Sequence, residues 1–527
     1  MSRNKPKQLG KVSLYNRFLN GVERIGNKLP HPVILFAIFA LAIVVISAIC
    51  ELCGVSAVGE MVTTVDGVKT VKTTEVAAVS LLTRDGLKYM FTSAVNNFTT
   101  YAPLGMVLVA MLGVGVAEQS GMINTLLKRA VKATPKRLLT PMIVFLGVMS
   151  NIASDAGYVI LIPLGAMMFR ACGHHPIAGL AAAFAGVSGG FSANLLIGTL
   201  DPLLAGITQE AVKMLDDTYQ VQVMGNYIFM FASTFLITIL GTIITNKLVE
   251  PRLGKYNDTL EGEDDASLTT ITDVQKKGLR AAGISALAFI IIIVACCIPE
   301  NSFFRNDAGE LLGSTPLIDS IVVLIALLFF IPGAVYGRVT KSFKNGGEVA
   351  NAMSKAMAGM GSFLALAFVS AQFINYFSYT KLGTIIALSG ADWLKSIGIG
   401  LIPLIIIFVL FSAFMNLFMG SASAKWNILA PVFVPMFMKL GYSPELCQLA
   451  YRVGDSCTNI ITPLMTYYAV IIVFAQRYDK KAGIGTMTAT MLPYSLCFLF
   501  FWCLMLVLWL LAGLPIGVAT PLSYPMA

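Results

Sequence analysis

Five charged residues fall inside apolar stretches of this chain: Asp155, Asp201, Lys425, Arg452 and Asp455. A charge at the centre of a bilayer costs about 2.5 to 3.5 kcal/mol on insertion scales, so such residues mark function or pairing. Arg452 and Asp455 are three apart, and on a helix they share a face and can form an ion pair. Unpaired, Arg452 would present a planar fork that grips a carboxylate through two hydrogen bonds. Lys425 would add a second anion contact, or would snorkel its ammonium to the membrane surface. Trp426 beside it could stack on an aromatic ligand, or serve as an interface or packing residue. Asp201, followed by Pro202, could carry a proton or help to select a coupling cation, or could simply lie outside the membrane.

Neutral polar residues gather in four clusters beside glycine or proline. They are Ser150, Asn151 and Asp155; Ser188, Ser192 and Asn194 around Gly189 and Gly190; Ser421 and Ser423 after Gly420; and Ser456 and Asn459 before Pro463. Such sequence allows unwound backbone, whose carbonyls and half-helix ends can bind ions. Unwinding inside a membrane is tolerated only where the backbone is buried in protein or lines a cavity. The first two clusters would face each other, as would the last two, and each facing pair is a candidate sodium site. Small residues also serve close helix packing, so any one of these positions taken alone is ambiguous.

The elements that must hold these residues are membrane helices. Hydrophobic residues make up 56% of the 527 and charged ones 12%, against roughly a quarter charged in soluble domains. Apolar runs near the roughly 20 residues a bilayer needs occur at 32–54, 99–118, 225–247, 281–298, 318–337, 357–378 and 485–513. Six basic residues from Lys5 to Lys28 precede the first run, which places the N-terminus in the cytoplasm. The first run reads as a signal anchor that stays, since no small-residue cleavage pattern precedes the next span.

Two further apolar regions are interrupted. Residues 140–173 are too long for one span and too short for two, polar in the middle and basic at both ends, as a hairpin entering and leaving on the cytoplasmic face would be. Residues 397–440 repeat this form with both ends outside, so the two hairpins are opposed. Each is followed by a helix that cannot run straight, over 176–214 and 444–470. A gap-free shift of 268 places Leu161 on Leu429, Pro163 on Pro431, Gly173 on Gly441, Pro176 on Pro444, Gly186 on Gly454 and Ser188 on Ser456. Inverted repeats with interrupted helices at corresponding places are the sequence signature of a secondary transporter's site.

Other classes find little support. The net charge of +9 sits in short loops, as positive-inside topology requires, rather than in a nucleic-acid face. Only Cys50 and Cys53 have CxxC spacing, and His31, His174 and His175 are not near that pair, so a zinc or redox centre has no ligand set; Cys172 near His174 and His175 is equally bare. An intramembrane amide hydrolase would need a nucleophile with a base or a metal. A channel would conduct without gradient coupling.

The runs SNIASDAGYVILIPL, GGFSANLLIGTLDPLLAGIT, GSASAKWNILAPVFVPMF and YRVGDSCTNIITPL strongly resemble the aminobenzoyl-glutamate transporter family, AbgT, within the ion transporter superfamily that includes sodium-coupled dicarboxylate carriers. The resemblance covers essentially the whole chain. It implies an all-α polytopic homodimer with about nine transmembrane helices and two opposed re-entrant hairpins per subunit, divided into a scaffold and a transport core. It further implies that Asp201, Ser423, Trp426, Pro444, Arg452, Asp455 and Pro463 match positions of the family's transport pathway. The expected division runs from a cytoplasmic segment 1–31 and scaffold helices 32–118, with an external loop 55–98, to a first core half 119–247. A cytoplasmic loop 248–280 and scaffold helices 281–337 would follow, then a second core half 338–470 and a last scaffold helix 485–513 with the C-terminus outside. The expected cargo is p-aminobenzoyl-glutamate or a related aromatic amide, with export of sulfonamide antimetabolites in some members, across a bacterial cytoplasmic membrane. No cofactor is expected beyond a coupling sodium ion or proton, and no partner beyond cargo, membrane lipid and a second subunit. A sodium-coupled dicarboxylate symporter is the nearest alternative.

Overall fold

The computed structural model describes residues 30–65, 68–153, 157–256, 270–311 and 315–524. Among them, seven helices are long and apolar enough to cross a bilayer: Pro32–Leu52, Ala102–Gln119, Tyr227–Leu253, Asp273–Cys297, Ile321–Thr340, Gly361–Tyr379 and Ile484–Leu511. Each coincides with one run expected from hydropathy. One boundary moves because of capping. Thr272 Oγ1 accepts from Gln275 N at 3.2 Å while Gln275 Oε1 accepts from Thr272 N at 2.9 Å, a reciprocal box that starts the helix at Asp273. The expected loop 248–280 is therefore helical at both ends, and residues 257–269 lie outside the described set.

The expected external loop contains a β-hairpin, Ser56–Val65 antiparallel to Val68–Ala77 in the register Ser56↔Ala77. The sequence signal was the dipeptide Asp-Gly, common in hairpin-forming sequences, between the β-prone runs VTTV and VKTV. Reading for membrane spans passed over it.

The interrupted regions form the expected pairs of short helices. The first hairpin has limbs Leu139–Ser150 and Ile162–Ala171, the second limb being entered through a π-helical turn at Gly157–Leu161. The second has limbs Leu401–Asn416 and Ala422–Lys439. The first broken helix runs Pro176–Phe184, widens into a π turn at Ala185–Gly189, loses regular structure, and resumes at Leu200–Val212. The second runs Pro444–Thr458 and resumes at Tyr468–Gln476. Both start alike, with a side-chain cap followed by proline at the first helical position: His175 accepts from Ile177 N at 3.2 Å, and Ser443 from Leu446 N at 3.3 Å.

The helix from Tyr227 to Leu253 runs between the bases of the two hairpins. Near its start, Phe229 N donates to Ile516 O at 3.1 Å, and the tail around Ile516 continues to Leu522 and Tyr524, which bond Ser443 N and Gly441 O at the base of the second hairpin. Near its end, Glu250 lies 2.6 Å from His174, at the base of the first hairpin. The first limb of each hairpin lies directly on its broken helix. A methyl group added at Gly186 would lie 2.3 Å from Val144 O, and one at Gly454 would lie 2.3 Å from Val409 O. Glycine at these two repeat-related positions is what lets the backbones touch.

Buried apolar residues divide into a large core and smaller ones. The large core joins both hairpins, both broken helices, Tyr227–Ile244 and Ile484–Leu511. Ile484–Leu511, assigned from sequence to the scaffold, thus packs with the broken helices through Met487, Met491, Tyr494, Phe498, Trp502 and Leu506. A second core joins Pro32–Leu52 to Gly361–Tyr379 and reaches the second hairpin through Ala424, Ile428 and Val432. A third joins Ala117 and Met122 to Ala282 and Tyr336.

Candidate functional site

The charged residues pair across elements rather than along one helix. Lys425 on the second hairpin makes an ion pair with Asp455, and both are 1% exposed. Its ammonium also donates to Asn416 Oδ1 on the other limb. Arg452 Nη2 lies 2.8 Å from Asp201 Oδ1 and donates to Ser192 O at 2.9 Å. The pairing of Arg452 with Asp455 that their spacing allows is therefore not made. Two buried cations and two carboxylates meet here, and cross-pairing leaves none of the four uncompensated, which a buried charge cannot afford. Lys425 does not snorkel. Asp201, 13% exposed, occupies the first turn of Leu200–Val212, where a carboxylate suits the helix dipole, and accepts from Gly198 N at 2.8 Å.

The two breaks are stitched to each other. Ser192 N donates to Ser456 Oγ at 3.2 Å, Ser456 Oγ donates to Arg452 O at 2.8 Å, and Asn459 Nδ2 donates to Ser188 O at 3.4 Å. Asn416 ties the second hairpin to the second break: its Nδ2 lies 2.6 Å from Asp455 O, 2.9 Å from Thr458 Oγ1 and 2.8 Å from Asn459 Oδ1. Sequence reasoning missed Asn416, although a lone amide in the run LIPLIIIFVLFSAFMN was a visible signal.

In the first half, the hairpin tip faces the break. A methyl group at Gly198 would lie 3.4 Å from Ile152 Cα and 4.0 Å from Asn194 Nδ2. Ser150 Oγ is spent on Gly147 O at 2.7 Å, and Asn194 Oδ1 accepts from Leu196 N at 3.4 Å. Both amide atoms of Asn151, the Ser192 hydroxyl and Arg452 Nε are buried without a hydrogen-bond partner. Buried polar atoms are normally satisfied, so this group is a set of donors and acceptors available to a ligand. Asp155 lies outside the described residues.

A family comparison decides the class of this site. The profile of the AbgT putative transporter family matches residues 17–524. The chain belongs to that family. It is 40% identical over 504 residues to the p-aminobenzoyl-glutamate transport protein of Escherichia coli (strain K12), covering 96% of each chain. It resembles the crystal structure of the Alcanivorax borkumensis YdaH transporter, described as having an unusual topology, at 44% identity and a TM-score of 0.85, over 93% of this chain and all of that one. It also resembles Neisseria gonorrhoeae MtrF, described as illuminating a class of antimetabolite efflux pumps, at 46% identity and a TM-score of 0.89, over 95% and 99%.

In this AbgT-family transporter, which is not an enzyme, the remaining expected positions take varied parts. Trp426 is fully buried: its Nε1 donates to Thr208 Oγ1 at 2.9 Å, and its ring stacks on Tyr451 with centroids 4.5 Å apart. Its N–H and one ring face are thus already used by the protein. Thr208 in turn donates to Gln448 Oε1 at 2.6 Å, and Gln448 Nε2 to Asn226 Oδ1 at 2.9 Å, a chain the sequence did not reveal. Ser421 caps the second limb by accepting from Ala424 N at 3.4 Å, with Ser423 Oγ 3.5 Å away. Pro444 opens its helix eight residues before Arg452, about 12 Å along the axis at 1.5 Å per residue, so it is a helix-start residue and does not join the charged group. Pro463 stiffens the segment between Thr458 and Tyr468. Among the described residues, no group of three or more His, Cys, Asp or Glu is placed to hold a metal.

Proposed function

We propose that this chain is an ion-coupled carrier of p-aminobenzoyl-glutamate or related aromatic amides, with sulfonamide antimetabolites as further cargo. The observation that carries the reading is Arg452: buried, held by Asp201 and by the Ser192 carbonyl, and left with Nε unpartnered, as is the Ser192 hydroxyl. A cargo carboxylate would complete that guanidinium. The hairpin limbs Leu139–Ser150 and Gly157–Ala171 in the first half extend about 18 and 22 Å, short of a 30 Å bilayer core, which supports re-entry on one face. Sodium is the favoured coupling ion. The described site carboxylates already hold cations, so a proton would have to displace one, whereas Asn151 and Ser192 supply neutral oxygens near unwound backbone, suited to sodium.

In the same reading, the large core is the moving body, the smaller cores belong to the scaffold of a homodimer, and the basic N-terminal segment lies in the cytoplasm. A dicarboxylate cargo is the second reading. It is favoured by Trp426, whose indole is already engaged by Thr208 and Tyr451 and offers an aryl ring less than the sequence suggested. The deciding experiment is counterflow of radiolabelled p-aminobenzoyl-glutamate in liposomes, with sodium and pH varied independently. The reading predicts sodium-dependent exchange that succinate does not compete for; exchange indifferent to both gradients would remove the coupling, and competition by succinate would favour the second reading.

A further inference from the structure

The shift of 268 that aligns the two halves places Tyr158 on Trp426. Both stand where the tip of a hairpin enters its second limb, and each reaches across to the broken helix of the opposite half. Trp426, in the second half, donates to Thr208 in the resumed segment Leu200–Val212 of the first. Tyr158, in the first half, stacks on Tyr467 at the head of the resumed segment Tyr468–Gln476 of the second, with centroids 4.6 Å apart and rings 10° from parallel. The Tyr158 hydroxyl is held by Ser188 Oγ at 2.8 Å. The two resumed segments run to opposite faces. Leu200–Val212 leads to Asp216 and the C-terminal tail, where Tyr524 donates to Asp216 at 2.8 Å. Tyr468–Gln476 leads to Tyr478, whose ring meets Tyr256 and through it His175, at the base of the first hairpin.

We propose that Tyr158 and Tyr467 are positioning residues of transport, forming a clasp that closes the face of the first hairpin as Trp426 and Thr208 close the face of the second. Ser188 bonds Tyr158, and Asp455 bonds Tyr451, the ring on which Trp426 stacks, so the two clasps border the residues that join the breaks; in this proposal a solute reaching those residues from one face parts the clasp on that face. The segment between Thr458 and Tyr468 touches both hairpin tips. It carries Tyr467 against the first, and a methyl group at Gly420 of the second would lie 2.6 Å from Leu464 O. A shift of this segment on parting one clasp therefore bears directly on the other tip, which supplies the coupling that keeps a carrier from opening on both faces together. The clasps are unequal: one is a hydrogen bond from an indole, the other an aromatic stack between hydroxyl-bearing rings.

The inference rests on the carrier reading, but its test needs neither cargo nor coupling ion, so the two stand or fall separately. A cysteine placed at the break, Ser192→Cys, is labelled with a membrane-impermeant thiol reagent added to either face of oriented vesicles, with the parent chain as control for native thiols. Tyr467→Ala is expected to speed labelling from the first hairpin's face by about threefold to tenfold, the range a stacked aromatic pair is worth, and to leave the other face unchanged. Thr208→Val is expected to do the reverse, and Tyr467→Phe, which keeps the stack, to match the parent. Equal acceleration from both faces, or none, in a variant of unchanged melting temperature would overturn the clasp. Should Tyr467→Ala fail to fold, Tyr158→Cys with Tyr467→Cys bridged by a short bifunctional reagent supplies the same decision. Bridging must block labelling from the first hairpin's face alone and reverse on release; a bridge without sided effect would equally overturn the proposal.

Discussion

Arg452 Nη2 reaches Asp201 Oδ1 at 2.8 Å, an ion pair between the second broken helix and the resumed segment of the first. It joins the two repeats beside their breaks, adding to the bonds of Ser192 with Ser456 and Asn459 with Ser188, and it presents the guanidinium. Removing a single partner of a buried pair costs about 3 to 5 kcal/mol because the other charge is left uncompensated. Arg452→Ala should therefore lower the melting temperature clearly, and Asp201→Asn added to it should recover part of the loss. Binding measured on the purified protein should fall more for p-aminobenzoyl-glutamate than for neutral sulfonamides; equal losses would make the pair purely structural.

Lys425 and Asp455 form the second pair, with Asn416 on the ammonium. Lys425→Met alone should destabilise by about 3 to 5 kcal/mol, while Lys425→Met with Asp455→Leu should cost much less than the sum of the two single changes. Denaturation followed in detergent checks this. Additive losses would show that the two side chains do not share their energy.

Asn151 offers both amide atoms without a partner at the first hairpin tip. Asn151→Ala should raise the sodium concentration that half-activates exchange by about tenfold or more, the loss of one ligand at about 1.4 kcal/mol, while changing stability little. An unchanged sodium dependence would remove this residue from the ion site.

Trp426 and Thr208 share one hydrogen bond. Trp426→Phe and Thr208→Val should each cost about 1 to 3 kcal/mol by stranding a buried polar group, and the double change should cost less than their sum. The melting temperatures of the three variants decide it. If Trp426→Phe instead abolishes binding of aromatic cargo with no loss of stability, the indole contacts cargo rather than protein.

His175 caps the first broken helix through a ring nitrogen that must be unprotonated to accept from Ile177 N. Burial pushes its pKa below the ordinary histidine value, outweighing the opposite pull of Glu250 and Asp479. The unfolded chain therefore binds the proton more readily, so stability is full above pH about 6.5 and falls as pH drops from there through the lower folded value. Melting temperature should decline over that window in the parent and stay flatter in His175→Asn, which keeps an acceptor at the cap; parallel curves would place the pH response elsewhere.

The seven long spans, the paired short helices and the two breaks were legible in the sequence because each is a local property: an apolar run of sufficient length, a polar interruption, or glycine and proline where a helix must yield. The repeat was legible because backbone requirements recur in both halves, as Pro176 and Pro444 opening helices and Gly186 and Gly454 admitting a neighbouring backbone show. The shift that aligns them also shows how unequal the halves are. Asn416, Lys425, Arg452 and Asp455 align with Val148, Gly157, Phe184 and Val187, so the first half keeps the plan but has no charge at those positions.

What the sequence could not decide was who pairs with whom. Spacing along one helix suggested Arg452 with Asp455, but in a buried site the partner is set by which elements the fold brings within reach and by the cost of leaving any charge alone. Asp201 is 251 positions from Arg452, and Thr208 is 218 from Trp426. Such contacts exist only once the two inverted halves have packed, and no local pattern carries them. Tertiary structure alone turned Trp426 into one side of a cross-half contact and Arg452 into one of the contacts that join the two broken helices.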